Sequence, residues 1–318
     1  MYEEIIIRDL ENMNESDARE YIKVLLAGYE KRKSEGKMYD SISLPRVIII
    51  TYYSCIKKPI FSNIIEEFKK MHIPEKELEE LREKYVDNEN ELERVHAIEE
   101  QQGLKLVYDY IQQKEDFSDI NIYTLSDIHE ILYSKAPYPE FGGKYRRDER
   151  YLPNSGVEIT PPDMIVREMN LLRDEVNDIV KDGIKLGTET NASEIINYID
   201  RCVELKCKLI KIHPFGDGNG RSIRAFINLL LRLANIPPIY IEDYEREKYG
   251  KAMNIALTTG DYSKIKGFYY YKICDSISSL DIMLEKQEDI NNERVKKLWS
   301  YYCILVVHLV VCIVWNSC

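Results

Sequence analysis

Residues 213–224 read HPFGDGNGRSIR, placing an imidazole, a carboxylate, three glycines around an asparagine, and two guanidinium groups within twelve positions. If Asn219 and Gly220 open a helix that runs to Arg232, each residue type acquires a chemical task. Gly218 and Gly220 let the backbone reach positive φ and approach a ligand closely, so that successive N–H groups form an anion-binding nest. The helix start adds unpaired N–H groups and partial positive charge. Arg221 and Arg224, three apart, share a helical face and can both grip phosphate oxygens. Asp217 is a hard oxygen ligand suited to one Mg²⁺ that also bridges phosphates. His213 has an unperturbed pKa near neutrality and is the natural general base for an attacking hydroxyl. Phe215 reads as an apolar anchor that ties the loop to the core. The chemistry implied is phosphoryl or nucleotidyl transfer.

The helix that delivers His213 is legible in its own stripe: Ile195, Ile196, Ile199, Val203, Leu205 and Leu209 recur near period 3.6. Upstream, residues 142–146 (GGKYR) read as a glycine-led turn into a short strand, with Pro161 and Pro162 stopping the segment before the next helix. Downstream, Asn235 to Pro238 ends the motif helix, and Tyr249 is spaced three residues from Ala252. Tyr249 reads either as a base contact or as a core aromatic.

The motif resembles the HPFx(D/E)GNGRxxR signature of Fic-domain proteins at every specified position. The resemblance extends over roughly residues 91–272, including a G-x-(F/Y)-R pattern at residues 143–146 and a Y-x-x-A spacing from Tyr249. It implies a mainly α fold, a Fic-type helical bundle with a β-hairpin flap over 143–160. It also implies transfer of AMP from Mg-ATP to a Ser, Thr or Tyr hydroxyl of a target protein, or of the chain itself. His213 would then deprotonate the hydroxyl, Asp217 would hold Mg²⁺, Gly218, Asn219, Gly220 and Arg221 would cradle phosphates, and Arg224 would bind the γ-phosphate. Tyr249 would contact adenine, while Arg150, Tyr151, Leu152 and Pro153 of the flap would pair with a target segment. Members also carry an inhibitory helix, (S/T)xxxE(G/N), whose glutamate meets the second arginine. Near residues 95–102, Glu99 is the candidate for that residue, with Val95 and Glu100 departing from the pattern; Ser62 to Glu66 is a second partial match. Removal of AMP, transfer of another phosphate-linked group, or a silent nucleotide-binding module are the alternatives.

Composition places limits on partners. The chain has 318 residues, 44% hydrophobic and 31% charged, with a net charge of −11. That acidity argues against a nucleic-acid binder, which would need a basic stripe. Seven cysteines occur without a CxxC or a matching histidine pair, so neither a disulfide framework nor zinc is expected. With no recognisable N-terminal signal, a cytoplasmic protein is expected. The chain divides into a helical region (1–90), a Fic domain (91–275) and a C-terminal part (276–318). Residues 47–53 form an apolar run open to helix or strand, and residues 74–94 interleave Glu and Lys as in one or two solvated helices or a linker. Residues 299–315 carry no formal charge, and Lys296 and Lys297 precede them. That stretch reads either as a short C-terminal membrane anchor or as a packed apolar segment.

Overall fold

The structure, a computed structural model, describes residues 10, 13–37, 43–55, 75–152, 155–188 and 192–278. The described residues up to Ser276 belong to one compact unit. Its helices are α1 (Glu15–Ser34), α2 (Ser43–Cys55), α3 (Glu75–Glu93), α4 (Ile98–Gln113), α5 (Thr124–Tyr133), α6 (Ile165–Leu171), α7 (Arg173–Thr188), α8 (Ala192–Ile212), α9 (Asn219–Leu233) and α10 (Arg246–Thr259). A last helix begins at residue 263.

The motif helix α9 is the axis of the bundle. Every residue of it except Gly220 is buried, and it packs against α3, α4, α5, α7 and α8. Two of its buried polar side chains are bonded to backbone of neighbouring segments. Asn228 exchanges two 3.0 Å hydrogen bonds with the backbone of Ile239, and the Arg232 guanidinium donates to the carbonyls of Ile111 and Lys114 at the end of α4. These contacts keep the helix from rotating, which fixes where Arg221 and Arg224 point. Helix α8 lies against α9 through its apolar stripe, in which Ile195, Ile196, Ile199, Val203, Leu205 and Leu209 are all buried.

One open expectation is resolved and another needs correction. The apolar run at 47–53, open to helix or strand, is helical, within α2. The charged stretch at 74–94 forms α3 (Glu75–Glu93), and it is more than a solvated face: Tyr85, Val86, Glu89, Asn90 and Leu92 are buried. A third expectation, the β-hairpin flap, is not seen. Among the described residues of 143–160 there is no strand. Instead, the segment is tied near one end to the motif loop, where the Arg146 N–H donates to the Pro214 carbonyl at 2.9 Å, and at the other to the last turn of α8, where the Thr160 N–H donates to the Lys211 carbonyl at 3.1 Å. Left-handed backbone at Gly143 and Gly156 interrupts the extended conformation that a ladder needs.

Among the described residues, no helix is long and apolar enough to cross a membrane. Residues 299–315, and the partial match at Ser62 to Glu66, lie outside the described residues. Cys202, Cys207 and Cys274 are buried free thiols.

Candidate active site

Helix α8 ends at Ile212, and His213 occupies the turn beyond it with φ of 51°, its N–H bonded to the Leu209 carbonyl at 2.9 Å. The last carbonyls of a helix need partners from outside it. Arg146 supplies them: Nε donates to the His213 carbonyl at 2.7 Å, and Nη2 to the carbonyls of Ile212 and Thr160. Its Nη1 donates to the Asp148 carbonyl. Arg146 is therefore buried with every nitrogen on a backbone oxygen and no carboxylate against it. Burial, and after it the Arg146 cation, push the His213 imidazole down to about 4. The ring is thus neutral at physiological pH, with the Ile210 backbone the hydrogen-bonding group that acts on it. A neutral imidazole can accept a proton.

The loop after His213 is closed by its own side chains. Asn219 accepts from the Phe215 N–H at 2.9 Å and donates to the Phe215 carbonyl at 2.8 Å. The Asn219 side-chain amide therefore shapes the loop, while the residue also lines the site cavity. Phe215 is fully buried and stacks on His129 at 3.8 Å between ring centroids. His129 was not anticipated from the sequence. Its Nδ1 accepts from the Gly143 N–H at 2.9 Å, so Nε2 carries the proton and donates to the Asp217 carbonyl, also at 2.9 Å. One neutral imidazole thus joins the motif loop to the segment that covers it.

The two expected nest glycines work differently. Gly218 has φ of 69°, and a β-carbon there would lie 2.8 Å from the Tyr133 ring; its N–H donates to Asp217 Oδ1 at 2.7 Å. Gly220 does not have positive φ. Its smallness makes room for the Glu93 carboxylate, which a β-carbon would overlap.

Both arginines are met by carboxylates from α3 and α4. Arg221, 1% exposed, donates to Glu100 Oε2 at 2.5 Å and to the Tyr133 hydroxyl at 3.3 Å. Arg224 Nε reaches both Glu89 oxygens at 3.1 and 2.9 Å, and its Nη2 lies 2.7 Å from Glu89 Oε2 and from Glu93 Oε1. Burial would raise the Glu93 carboxyl, but Arg224 outweighs it and holds the group below its ordinary value. The expected partner Glu99 is instead exposed. Adjacent residues lie about 100° apart around a helix, so with Glu100 turned inward beside Gly103, Leu104 and Val107, Glu99 faces out. A better signal was present at Glu89-Asn90, which satisfies the E(G/N) pair four residues after Tyr85, where Ser or Thr is expected.

A cavity of about 510 Å³ brings these groups together. His213, Asp217, Gly218, Asn219, Gly220, Arg221, Arg224 and Tyr249 line it, with Arg150, Tyr151 and Leu152 over its mouth and Glu93 inside. Pro153 lies outside the described residues. Lys206, fully buried on the stripe face of α8, donates to the Tyr249 hydroxyl, and its ammonium lies 4.2 Å from that ring's centroid. Burial pushes it down to about 7. Lys206 follows Val203 by three positions and precedes Leu209 by three, which puts it on the buried face.

Among the described residues, no group of three or more His, Cys, Asp or Glu is placed to hold a metal. A lone Asp217 beside an anion nest suits Mg²⁺ that takes its other ligands from phosphates and water.

The sequence profile of the Fic/DOC family matches residues 119–231. A protein adenylyltransferase Fic from Nematostella vectensis is 30% identical over 155 residues, 49% of this chain and 32% of that protein. One from Aedes aegypti is 27% identical over 173 residues, 54% of this chain and 30% of that protein. The chain thus spans about a third of the length of these relatives. Among solved structures, a Fic domain containing signalling protein from Bacteroides thetaiotaomicron superposes with a TM-score of 0.52 at 17% identity, covering 67% of this chain and 92% of that one, a likeness of fold. The motif loop, the helix it opens and these likenesses fall on one stretch of chain, and residues 119–231 are a Fic/DOC-family domain.

Proposed function

We propose that this chain is a protein adenylyltransferase, moving AMP from Mg-ATP to a hydroxyl side chain of a target protein, and that an acidic clamp holds it off. The observation that carries the reading is the single cavity in which a neutral His213 faces Asp217, the glycine nest and both arginines. The curated relatives named as adenylyltransferases support the same reading.

In the reaction, His213 takes the proton of the target hydroxyl as its oxygen bonds to the α-phosphorus. The bond from that phosphorus to the bridging oxygen breaks, and pyrophosphate leaves. Mg²⁺ held at Asp217, when bound, neutralises phosphate charge and orients the leaving group. The Gly218 to Gly220 backbone and Arg221 bind the phosphates through donors fixed before the reaction begins, so little reorganisation is needed as charge shifts. Tyr249 and the Lys206 beneath it form one side of the base pocket. Arg150, Tyr151 and Leu152 hold the target segment over the cavity.

Glu89 and Glu93 occupy Arg224, the group assigned to the γ-phosphate, and Glu100 occupies Arg221. ATP binds productively only where these carboxylates give way, so the clamp is inhibitory. A second reading is hydrolytic removal of AMP from a modified protein. Its support is Glu93, whose carboxylate stands inside the cavity and can orient a water.

Incubation with Mg²⁺ and α-labelled ATP, with γ-labelled ATP in parallel, tests the proposal. Protein-bound label from the α-phosphate alone, absent in a His213 variant and increased in Glu89→Gly, is expected. Label from the γ-phosphate would overturn adenylyl transfer in favour of a kinase. Release of AMP from a pre-modified protein would favour the hydrolase.

A further inference from the structure

A second hollow of about 1150 Å³ lies beside the motif loop, and Arg150, Gly216 and Asp217 line both it and the nucleotide cavity. The two spaces meet where the reacting groups stand. Its walls come from the His129 end of α5, the 3-10 turn Pro139–Phe141, the segment 144–148, and the start of α6.

Two properties of its surface occur together here. First, large apolar side chains are open to solvent: Tyr138 is 40%, Phe141 63% and Val166 58% exposed. The Tyr138 and Phe141 rings stand edge to face at 6.1 Å, forming one ledge. Clustered exposed apolar groups beside a polar rim mark a contact surface. Second, the local charge is positive on a chain whose net charge is −11. Lys144, Arg146, Arg147 and Arg150 line the hollow against Glu140, Asp148 and Asp217. Asp148 is paired with Arg150 at 2.8 Å, and Asp217 belongs to the motif loop. Arg146 is bonded only to carbonyls. Lys144 and Arg147 are exposed and have no acidic partner among the described residues. Glu149 and Asp148 act on Arg146 from its own segment, and Glu140 is the acidic side chain that lines the hollow with the exposed Lys144 and Arg147.

We propose that this hollow docks a target polypeptide in which acidic residues flank the modified hydroxyl and an aromatic side chain follows. The acidic residues would pair with Lys144 and Arg147, and the aromatic ring would lie on the Tyr138–Phe141–Val166 ledge. Position supports this occupant. A segment in the hollow passes Arg150, Gly216 and Asp217, which line both spaces, so its hydroxyl can enter the nucleotide cavity where the two meet. The inference names the substrate class of the proposed adenylyl transfer and rests on that reading.

Binding is measured apart from turnover, so the two ideas can fail separately. Fluorescein-labelled peptides centred on Ser, Thr or Tyr, with Asp or Lys flanks and a Phe or Ala at the distal end, are titrated with the full chain by anisotropy. The Asp/Phe peptides should bind about tenfold tighter than the Lys/Phe peptides, a preference that weakens with salt. The K144E/R147E variant should reverse the preference. Phe141→Ala should weaken the Phe peptides and leave the Ala peptides unchanged. None of these three residues lines the nucleotide cavity, so Mg-ATP affinity should stay the same and reports that the variants are folded. Equal binding of Asp and Lys peptides, a preference that survives charge reversal, or no binding up to about 1 mM overturns the proposal. Selective binding without AMP transfer by the Glu89→Gly form, in which the clamp is opened, would retain the docking site and reject the transferase reading.

Discussion

Glu89 and Glu93 should hold nucleotide off Arg224 to very different degrees, and comparing Glu89→Gln with Glu93→Gln measures the difference. Glu89 meets the guanidinium at 3.1, 2.9 and 2.7 Å, and its side chain is 3% exposed. Glu93 makes one contact at 2.7 Å and is 35% exposed. A buried charge-assisted hydrogen bond contributes roughly 1.5–3 kcal/mol, whereas a partly exposed ion pair contributes about 0.2–1 kcal/mol. Taking the two shorter Glu89 bonds at the low end gives ~3 kcal/mol. At about 1.4 kcal/mol per tenfold, that is roughly a hundredfold tighter Mg-ATP for Glu89→Gln and at most about fivefold for Glu93→Gln. Glutamine keeps the volume, so the cavity retains its shape. Without nucleotide, Glu89→Gln leaves Arg224 buried with too little counter-charge, and the melting temperature should fall; bound phosphate should restore it. Calorimetric titration with Mg-ATP, paired with thermal midpoints with and without nucleotide, reads both effects. Equal tightening by the two variants, or a Glu89→Gln protein that neither loses stability nor gains affinity, would refute the reasoning.

Arg146→Met should lower kcat much more than the KM for ATP, because the guanidinium holds the His213 backbone and does not itself line the nucleotide cavity. It should also destabilise the fold by ~3 kcal/mol or more, since buried carbonyls lose a charged donor, and an NMR titration should find the His213 pKa raised; an unmoved pKa would remove Arg146 from the site. Burial holds His129 and His213 at about 4, below the ordinary 6.5. The unfolded chain therefore takes up protons below about pH 6.5 that the folded chain refuses, so this stability is complete above that pH and is lost as pH falls toward about 4. Urea midpoints should be lower at about pH 5 than at about pH 7.5, and His129→Gln should flatten the difference; identical midpoints would contradict the placement of both rings.

What was readable in the sequence follows from how local each constraint is. The Asn219–Phe215 exchange, the left-handed Gly218 and the helix starting at Asn219 all lie within five residues of one another, so their chemistry is written in one string. The clamp was not readable in the same way. Glu100 and Glu89 lie 121 and 135 residues before their arginines, and choosing Glu100 over Glu99 needs the rotation of α4 about its axis. Helix α3 looked solvated because its buried face carries Glu89 and Asn90 among Tyr85, Val86 and Leu92, which dilutes the apolar period. The expected hairpin failed for a related reason. Strand pairing depends on partners that no local pattern names, and here the ends of the segment are bonded to the motif loop and to the last turn of α8.

The left-handed backbone at His213 decides how an inactive form of this protein should be made. Every residue with a β-carbon meets a cost of roughly 1–2 kcal/mol there, but asparagine and histidine enter that region several-fold more readily than alanine, which has no polar side chain to bond the local backbone. A His213→Ala protein would therefore lose the base and also pull on the turn that carries Asp217, so its silence could not be assigned to proton transfer alone. His213→Asn removes the imidazole while keeping the turn. It is the form to immobilise when fishing for bound targets, because it should present the docking surfaces of the active protein without releasing product.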